Sequence, residues 1–211
     1  AQDIKPDRLT RAKQALYKLI DRLQGDRIGI IIFAGKAYVQ LPVTTDYAAA
    51  KMFVSTLSTK DIPSQGTAIE EAIDLGINSF DKVEQSKAII IITDGENHEG
   101  NAIEAAKTAS QQGIHVYTIG MGLPDGSPIP VINSNGQQTG FKKDQEGNTV
   151  ITKLNELMMQ QIAAAGDGDY VRANNTQAGL SKIFDKINAL EKREIETRMF
   201  TDYEDQFQYF I

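Results

Sequence analysis

The chain has 211 residues, no cysteine, and 22 Lys+Arg against 28 Asp+Glu, a formal net charge of −6. With 41% hydrophobic and 24% charged residues, it has the composition of a folded domain rather than a disordered segment, and its length suits one α/β domain or two small ones. The absence of thiols excludes cysteine nucleophiles, zinc–cysteine sites, iron–sulfur clusters and disulfide scaffolds; the acidic balance argues against a nucleic-acid groove, and no apolar run approaches the ~20 residues of a membrane helix.

Pro6-Asp7 opens a periodic stretch in which Leu9, Ala12, Leu16, Leu19, Ile20 and Leu23 recur at helical spacing until Gly25. This predicts an amphipathic helix. The run Arg27 to Phe33 is short and β-branched, which predicts a strand buried on both faces. Ala37 to Leu41 predicts a second strand, antiparallel to the first through the turn at Gly35-Lys36. Thr45-Asp46 is suited to cap a helix through Met52, Phe53 and Leu57.

After the Pro63-Ser64-Gln65-Gly66 loop, a helix is expected from Thr67 or Ala68, with Ile69, Ala72, Ile73, Ile77 and Phe80 on its apolar face. Glu70, Glu71 and Asp74 sit in its first turns, where the helix dipole favours acids. They read as a solvated face rather than a paired-carboxylate catalyst. Ala88 to Ile92 is the most hydrophobic strand in the chain and runs into Thr93-Asp94-Gly95-Glu96. A helix over Asn101 to Gln112 and a strand over His115 to Ile119 follow. The stretch from Asp125 to Thr152, with Pro128, Pro130, Asn135-Gly136 and Glu146-Gly147, predicts a β-hairpin insertion. A helix (Leu154 to Ala164), a strand (Asp169 to Arg172) and a helix ending near Leu190 complete the pattern, and residues 191–211 suggest an edge strand and tail.

Strands alternating with helices predict a doubly wound, Rossmann-like, mostly parallel α/β sheet covered on both faces. In such sheets ligands bind beyond the carboxyl ends of the strands. Two groups belong there: Thr93 to His98, and Ser64, Gly66 and Thr67. An oxygen-only set of Asp and Thr suits Mg²⁺, while from spacing alone strand-Thr-Asp-Gly is more often a capped turn than a metal site. No Gly-x-Ser-x-Gly elbow, Walker lysine or Gly-x-Gly-x-x-Gly fingerprint is present, and Gly120-Met121-Gly122 precedes no helix. His115 begins a strand and reads as structural, and Met158-Met159 as part core and part surface.

Several segments resemble von Willebrand factor A domains: Ile89 to Glu96 is similar to their fourth-strand motif, Gly66-Thr67-Ala68-Ile69 to their threonine loop, and Asp26 to Phe33 to their second strand. Asp3 to Leu9, Phe33-Ala34-Gly35 and Leu41 to Asp46 further resemble the bacterial Bat aerotolerance proteins, a membrane-anchored branch, and the likeness runs through Gly140 to Val150 and Ala164 to Arg172. The resemblance implies a protein-interaction module, not an enzyme, with a metal-ion-dependent adhesion site for Mg²⁺ or Mn²⁺. Of that site's ligands, the threonine is matched by Thr67 and the aspartate by Asp94. Glu96, Asn97, His98 and Ser64 would then face the partner.

The family's first strand and its Asp-x-Ser-x-Ser loop, which precede the segment matching Asp3 to Leu9, are not in the sequence. The chain, starting at Ala1, therefore reads as a domain (1–190) cut after that loop, with weak or absent metal binding of its own. Open alternatives are a Mg²⁺-dependent phosphotransferase-like enzyme on a related sheet and a metal-independent scaffold. The resemblance also implies a bacterial inner-membrane protein whose soluble domain faces the periplasm, other Bat-type envelope proteins as partners, and 191–211 as a juxtamembrane tail.

Overall fold

A computed structural model describes residues 3–58, 66–81, 86–96, 100–133, 137–144, 146–173 and 183–187. Helix α1 spans Arg8–Ile20, and the Asp7 carboxylate caps it by accepting from the Thr10 N–H. Strands β1 (Ile28–Phe33) and β2 (Ala37–Thr44) form an antiparallel pair. Pro42, which lacks an N–H, is tolerated because among the described residues β2 has no second neighbour and is an edge. Helix α2 (Tyr47–Thr56) is capped by Asp46. Helix α3 (Ile69–Ser79) starts after Ala68 with no side-chain cap.

Strand β3 (Lys87–Thr93), helix α4 (Ala102–Gln111, capped by Asn101) and strand β4 (Ile114–Gly120) make a parallel unit, with Lys87 opposite Ile114 and Thr93 opposite Gly120. The expected insertion folds as two antiparallel pairs. Strand β5 (Ser127–Pro128) pairs with β8 (Ile151–Thr152), and β6 (Pro130–Ile132) with β7 (Gln138–Phe141). Helix α5 (Glu156–Ala165) is capped by Asn155, and β9 (Tyr170–Arg172) joins β4 in parallel. Residues 183–187 are helical. The remainder of the helix expected to reach Leu190 and the tail 191–211 lie outside the described residues.

The fold is the expected doubly wound α/β architecture, with a sheet in two parts: β1-β2, and β3-β4-β9. On one face α3, α4 and α5 pack Ile69, Ile73, Ala106 and Ile162 against Ile91 and Val116. On the other, Ile20 of α1 joins Ile28, Ile30 and Leu41, with Val54 of α2, while Ala15 of α1 joins Tyr117 and Ile119. Helix α1 thus touches both parts of the sheet. So does α3, whose Gly76 lies so close that an added Cβ would meet Ile89 Cδ1 at 2.9 Å and Ile31 Cδ1 at 3.9 Å.

Between the two parts, β1 and β3 face each other across a cleft of about 1040 Å³, floored and roofed by α1 and α3. Their amino ends are tied at one point, since Arg27 forks onto the Asp81 carboxylate (2.7 and 2.8 Å) and Lys87 Nζ donates to the Asp81 carbonyl. Both strands therefore run the same way along the cleft. The cleft corrects the expectation that Arg27–Phe33 is buried on both faces. Ile28 and Ile30 are buried, but Gly29 is exposed and Ile31, Ile32 and Phe33 are half-buried, because no strand among the described residues covers that edge. In β3, the most hydrophobic strand, Ile91 alone is buried, and Ala88, Ile89, Ile90 and Ile92 are half-buried.

The helix-packed face carries the stability of this arrangement. Ile73 is 0% exposed and Met52 57% exposed. In urea unfolding, Ile73→Ala is expected to lose about 2–5 kcal/mol, and Met52→Ala to stay within about 0.5 kcal/mol of the parent.

Candidate functional site

The carboxyl ends of β1 and β3 form one rim of the cleft. Ala34 follows β1, and its carbonyl accepts from the Ala68 N–H at 2.6 Å, which brings the start of α3, and with it Thr67, to the rim. Thr67 is half-buried and lines the cleft. Asp94 follows β3 and lines the same rim. The next residue, Gly95, has φ +72, and an added Cβ would lie 2.8 Å from Met159 Cγ and 2.9 Å from the Asn155 carbonyl. Only glycine fits both the backbone and the space there. The turn directs the chain toward α5, and Asn155 N–H donates to the Asp94 carbonyl at 2.8 Å.

The Asp94 side chain is held by two residues that spacing does not single out. Arg8 Nη1 donates to Asp94 Oδ2 at 2.8 Å, and the Thr152 hydroxyl donates to the same oxygen at 3.0 Å. Arg8 belongs to the first turn of α1, and Thr152 to β8 of the insertion. Arg8 also forks onto Asp3, with Nε to Oδ1 at 2.9 Å and Nη2 to Oδ2 at 2.7 Å. The Leu123 N–H, at the base of the insertion, donates to Asp3 Oδ2 at 2.9 Å. One guanidinium therefore joins the N-terminal segment, the end of β3 and the insertion.

The group is shielded from water: side-chain exposure is 2% for Asp3, 13% for Arg8 and 24% for Asp94. Burial pushes the Asp3 carboxyl up, but the Arg8 guanidinium and the Leu123 N–H more than offset it, and its pKa lies below the ordinary value. Two carboxylates sharing one guanidinium leave a net charge of −1.

Glu96 is half-buried, and its Oε1 accepts from the Lys153 N–H at 2.6 Å. Ser64, Asn97 and His98 lie outside the described residues. The acids on α3 serve as local acceptors: Glu70 takes the Asn101 N–H and Glu71 the Ala37 N–H. The His115 ring bonds the Asp167 carbonyl at 2.9 Å, the structural role expected of it. Beyond Asp94 along the rim, Arg172 and Tyr170 converge on Glu156 of α5, and the Arg172 guanidinium, followed by the Tyr170 hydroxyl, holds the Glu156 carboxyl below its usual range despite burial.

Thr67 and Asp94 supply two oxygen-bearing side chains, where Mg²⁺ takes six oxygens. Among the described residues no group of three or more His, Cys, Asp or Glu is placed to hold a metal ion, and Asp94 Oδ2 already faces a cation. The described residues do not by themselves fit a divalent ion.

The family model for the von Willebrand factor type A domain matches residues 1–186. The chain is 48% identical to the conserved hypothetical protein BatB from Bacteroides thetaiotaomicron, with a TM-score of 0.86 over 91% of this chain and 92% of that one. It is also 48% identical to an aerotolerance-related membrane protein from Bacteroides fragilis, with a TM-score of 0.84 over 90% and 92% of the two chains. A UPF0353 protein of Mycolicibacterium vanbaalenii is 28% identical over 202 residues, which cover 89% of this chain and 55% of that relative. The chain thus spans about half the length of that curated relative.

Asp3 makes the Arg8 bridge pH-dependent. Its pKa is lowered by folding, so its contribution is complete above the ordinary value near 4 and is lost as pH falls through the folded value. Asp3→Asn is expected to cost about 1.5–3 kcal/mol at pH 7 and to flatten the acid limb of stability below about pH 4. Urea unfolding of both proteins between pH 7 and pH 3 checks this, and parallel acid limbs would contradict it.

Proposed function

The chain belongs to the von Willebrand factor type A family, and from that premise we propose that it is a protein-interaction module of a bacterial envelope complex, with the rim carrying Thr67 and Asp94 as its partner-facing surface. The observation that carries this reading is the placement of both residues, from two separate connections, on one rim at the carboxyl ends of β1 and β3. Family domains are typically non-enzymatic interaction modules, and the sequence shows neither a Gly-x-Ser-x-Gly elbow nor a Walker lysine, which favours the same class here. The aerotolerance-related membrane protein with which the chain shares 48% identity supports an envelope setting. No helix among the described residues is long and apolar enough to cross a membrane. The reading places the domain on the periplasmic side, with 191–211 leading toward the bilayer and other Bat-type proteins as partners.

The cleft belongs to the same reading. Its occupant is a strand of about six or seven residues, the lengths of β1 and β3, apolar on both faces. Supplied by polypeptide continuous with Ala1, it would end at the rim where Asp3 is anchored and so run parallel to both neighbours. A strand there would pair the free edges of β1 and β3 and deliver the Asp-x-Ser-x-Ser oxygens beside Thr67 and Asp94. In the longer protein the rim would then hold Mg²⁺ or Mn²⁺, whose positive charge and open coordination position suit a partner carboxylate. The residues of this chain contribute one hydroxyl, one carboxylate and the loops that aim them.

Crosslinking in bacterial envelopes tests the proposal, with the longer, membrane-anchored protein and its Asp94→Ala variant compared at equal expression and equal far-ultraviolet circular dichroism. Loss of partner crosslinks by about tenfold or more, as expected when a charged hot-spot contact is removed, is the expected result. Unchanged crosslinks would point to a metal-independent scaffold, and a catalytic turnover abolished by the same substitution would point to an enzyme.

A further inference from the structure

We propose that Arg172 is a docking cation of the rim, poised to take a carboxylate side chain of a protein partner directly, with no ion between them. The proposal rests on the interaction reading above and names the chemistry of the partner at that same rim.

Two arginines of this chain grip a carboxylate in the same way. Arg8 places Nε and Nη2 on the two oxygens of Asp3, and its Nη1 holds a second carboxylate, Asp94. Arg172 places Nε on Glu156 Oε1 at 2.6 Å and Nη2 on Glu156 Oε2. Among the described residues its Nη1 donates to no acceptor. Arg172 therefore repeats the Arg8 arrangement with the place of the second carboxylate open. Its side chain is 40% exposed, against 13% for Arg8, so a carboxylate arriving from outside can reach it. Arginine is always charged in proteins and its donors point in fixed directions, which suits it to a planar anion.

The fold presents this guanidinium on the rim. Arg172 closes β9 and lies opposite Gly120 in register, and Gly120 lies opposite Thr93. Two strand spacings, about 10 Å, thus separate Arg172 from the residue before Asp94. Tyr170 crosses β4 at Gly120, where an added Cβ would lie 2.8 Å from the Tyr170 hydroxyl. That hydroxyl donates to Glu156 Oε1. Glu156 is therefore fixed by β9 through two side chains, and it fixes Arg172 in return. A guanidinium already held in one orientation gives up little side-chain freedom when a partner arrives. Leu157, the next residue of α5, is 65% exposed and offers apolar surface of the kind that excludes water around a charged contact. Arg27 is similarly exposed, but its fork onto Asp81 lies at the amino ends of the strands, away from the rim.

Two measurements test this. In the 211-residue chain labelled with nitrogen-15, acetate is titrated at constant ionic strength against sodium chloride. The Arg172 side-chain resonances are expected to move with acetate and those of Arg8, whose Nη1 is already engaged, to stay. No acetate-specific shift at Arg172 overturns the proposal. In the longer, membrane-anchored protein, envelope crosslinking is compared between the parent, Arg172→Gln and Glu156→Gln at equal expression and equal far-ultraviolet circular dichroism. Both substitutions break the same internal pair, but only Arg172→Gln removes the cation. Arg172→Gln is expected to lose partner crosslinks about tenfold or more, and Glu156→Gln to stay within about threefold of the parent, as for an exposed pair of modest worth. A loss in Arg172→Gln no greater than in Glu156→Gln overturns the proposal, since the arginine would then act only by holding Glu156. If Arg172→Gln does not fold, the acetate titration of the parent decides. Crosslinks lost in Asp94→Ala but kept in Arg172→Gln sink this inference and leave the interaction reading standing, whereas a parent that forms no crosslinks sinks both.

Discussion

Two strand edges, β1 and β3, lie side by side without pairing, and the structure is arranged around that gap. Backbone N–H and C=O groups that point into an apolar space without partners cost about 1–3 kcal/mol each when shut away from water. The gap is accordingly open as a cleft and not collapsed. What keeps it from spreading is helical packing on each face. Helix α1 joins the core on the β1 side through Ile20 and the core on the β4 side through Ala15. On the opposite face α3 closes onto Ile89 and Ile31 through the missing side chain of Gly76. The salt bridge of Arg27 to Asp81 and the Lys87 contact with the same residue pin the amino ends. At the carboxyl ends Arg8 pins the end of β3 through Asp94, and the Ala68 N–H holds the Ala34 carbonyl after β1.

This explains why the rim at the carboxyl ends is polar. At the carboxyl ends the chain enters from Asp3, leaves β3 at Asp94 and passes the insertion at Thr152, and three unrelated segments must be joined where no strand joins them. A forked guanidinium with donors in fixed directions does this with one side chain.

Much of the architecture was legible in the sequence because its signals are local. Asp7, Asp46, Asn101 and Asn155 each cap the helix that follows them, as short polar side chains at helix starts do. The turn at Gly35-Lys36 and the parallel β3-β4-β9 unit followed from turn chemistry and strand–helix alternation. Burial was less legible. The apolar run Ile28 to Phe33 gives the same pattern whether or not a neighbour covers its edge. The site was half legible. Thr67 and Asp94 both line the cleft. Arg8 and Thr152 went unnoticed, for they lie 86 and 58 residues from Asp94, and no periodicity links them. The one available signal was Arg8 in the first turn of a helix, where the dipole disfavours cations unless an acid is close at hand.

The account stands or falls on the occupant of the cleft. The direct measurement is amide hydrogen exchange across β1 and β3, compared between the 211-residue chain and a longer natural chain that carries the polypeptide preceding Ala1. Pairing on both edges predicts that amides of Ile28–Phe33 and Lys87–Thr93 become protected in the longer chain, while those of Thr118–Gly120, already paired with β3 and β9, change less. Equal protection of β1 and β3 in the two proteins would contradict it, since the cleft would then be a feature of the finished domain and not the seat of a strand.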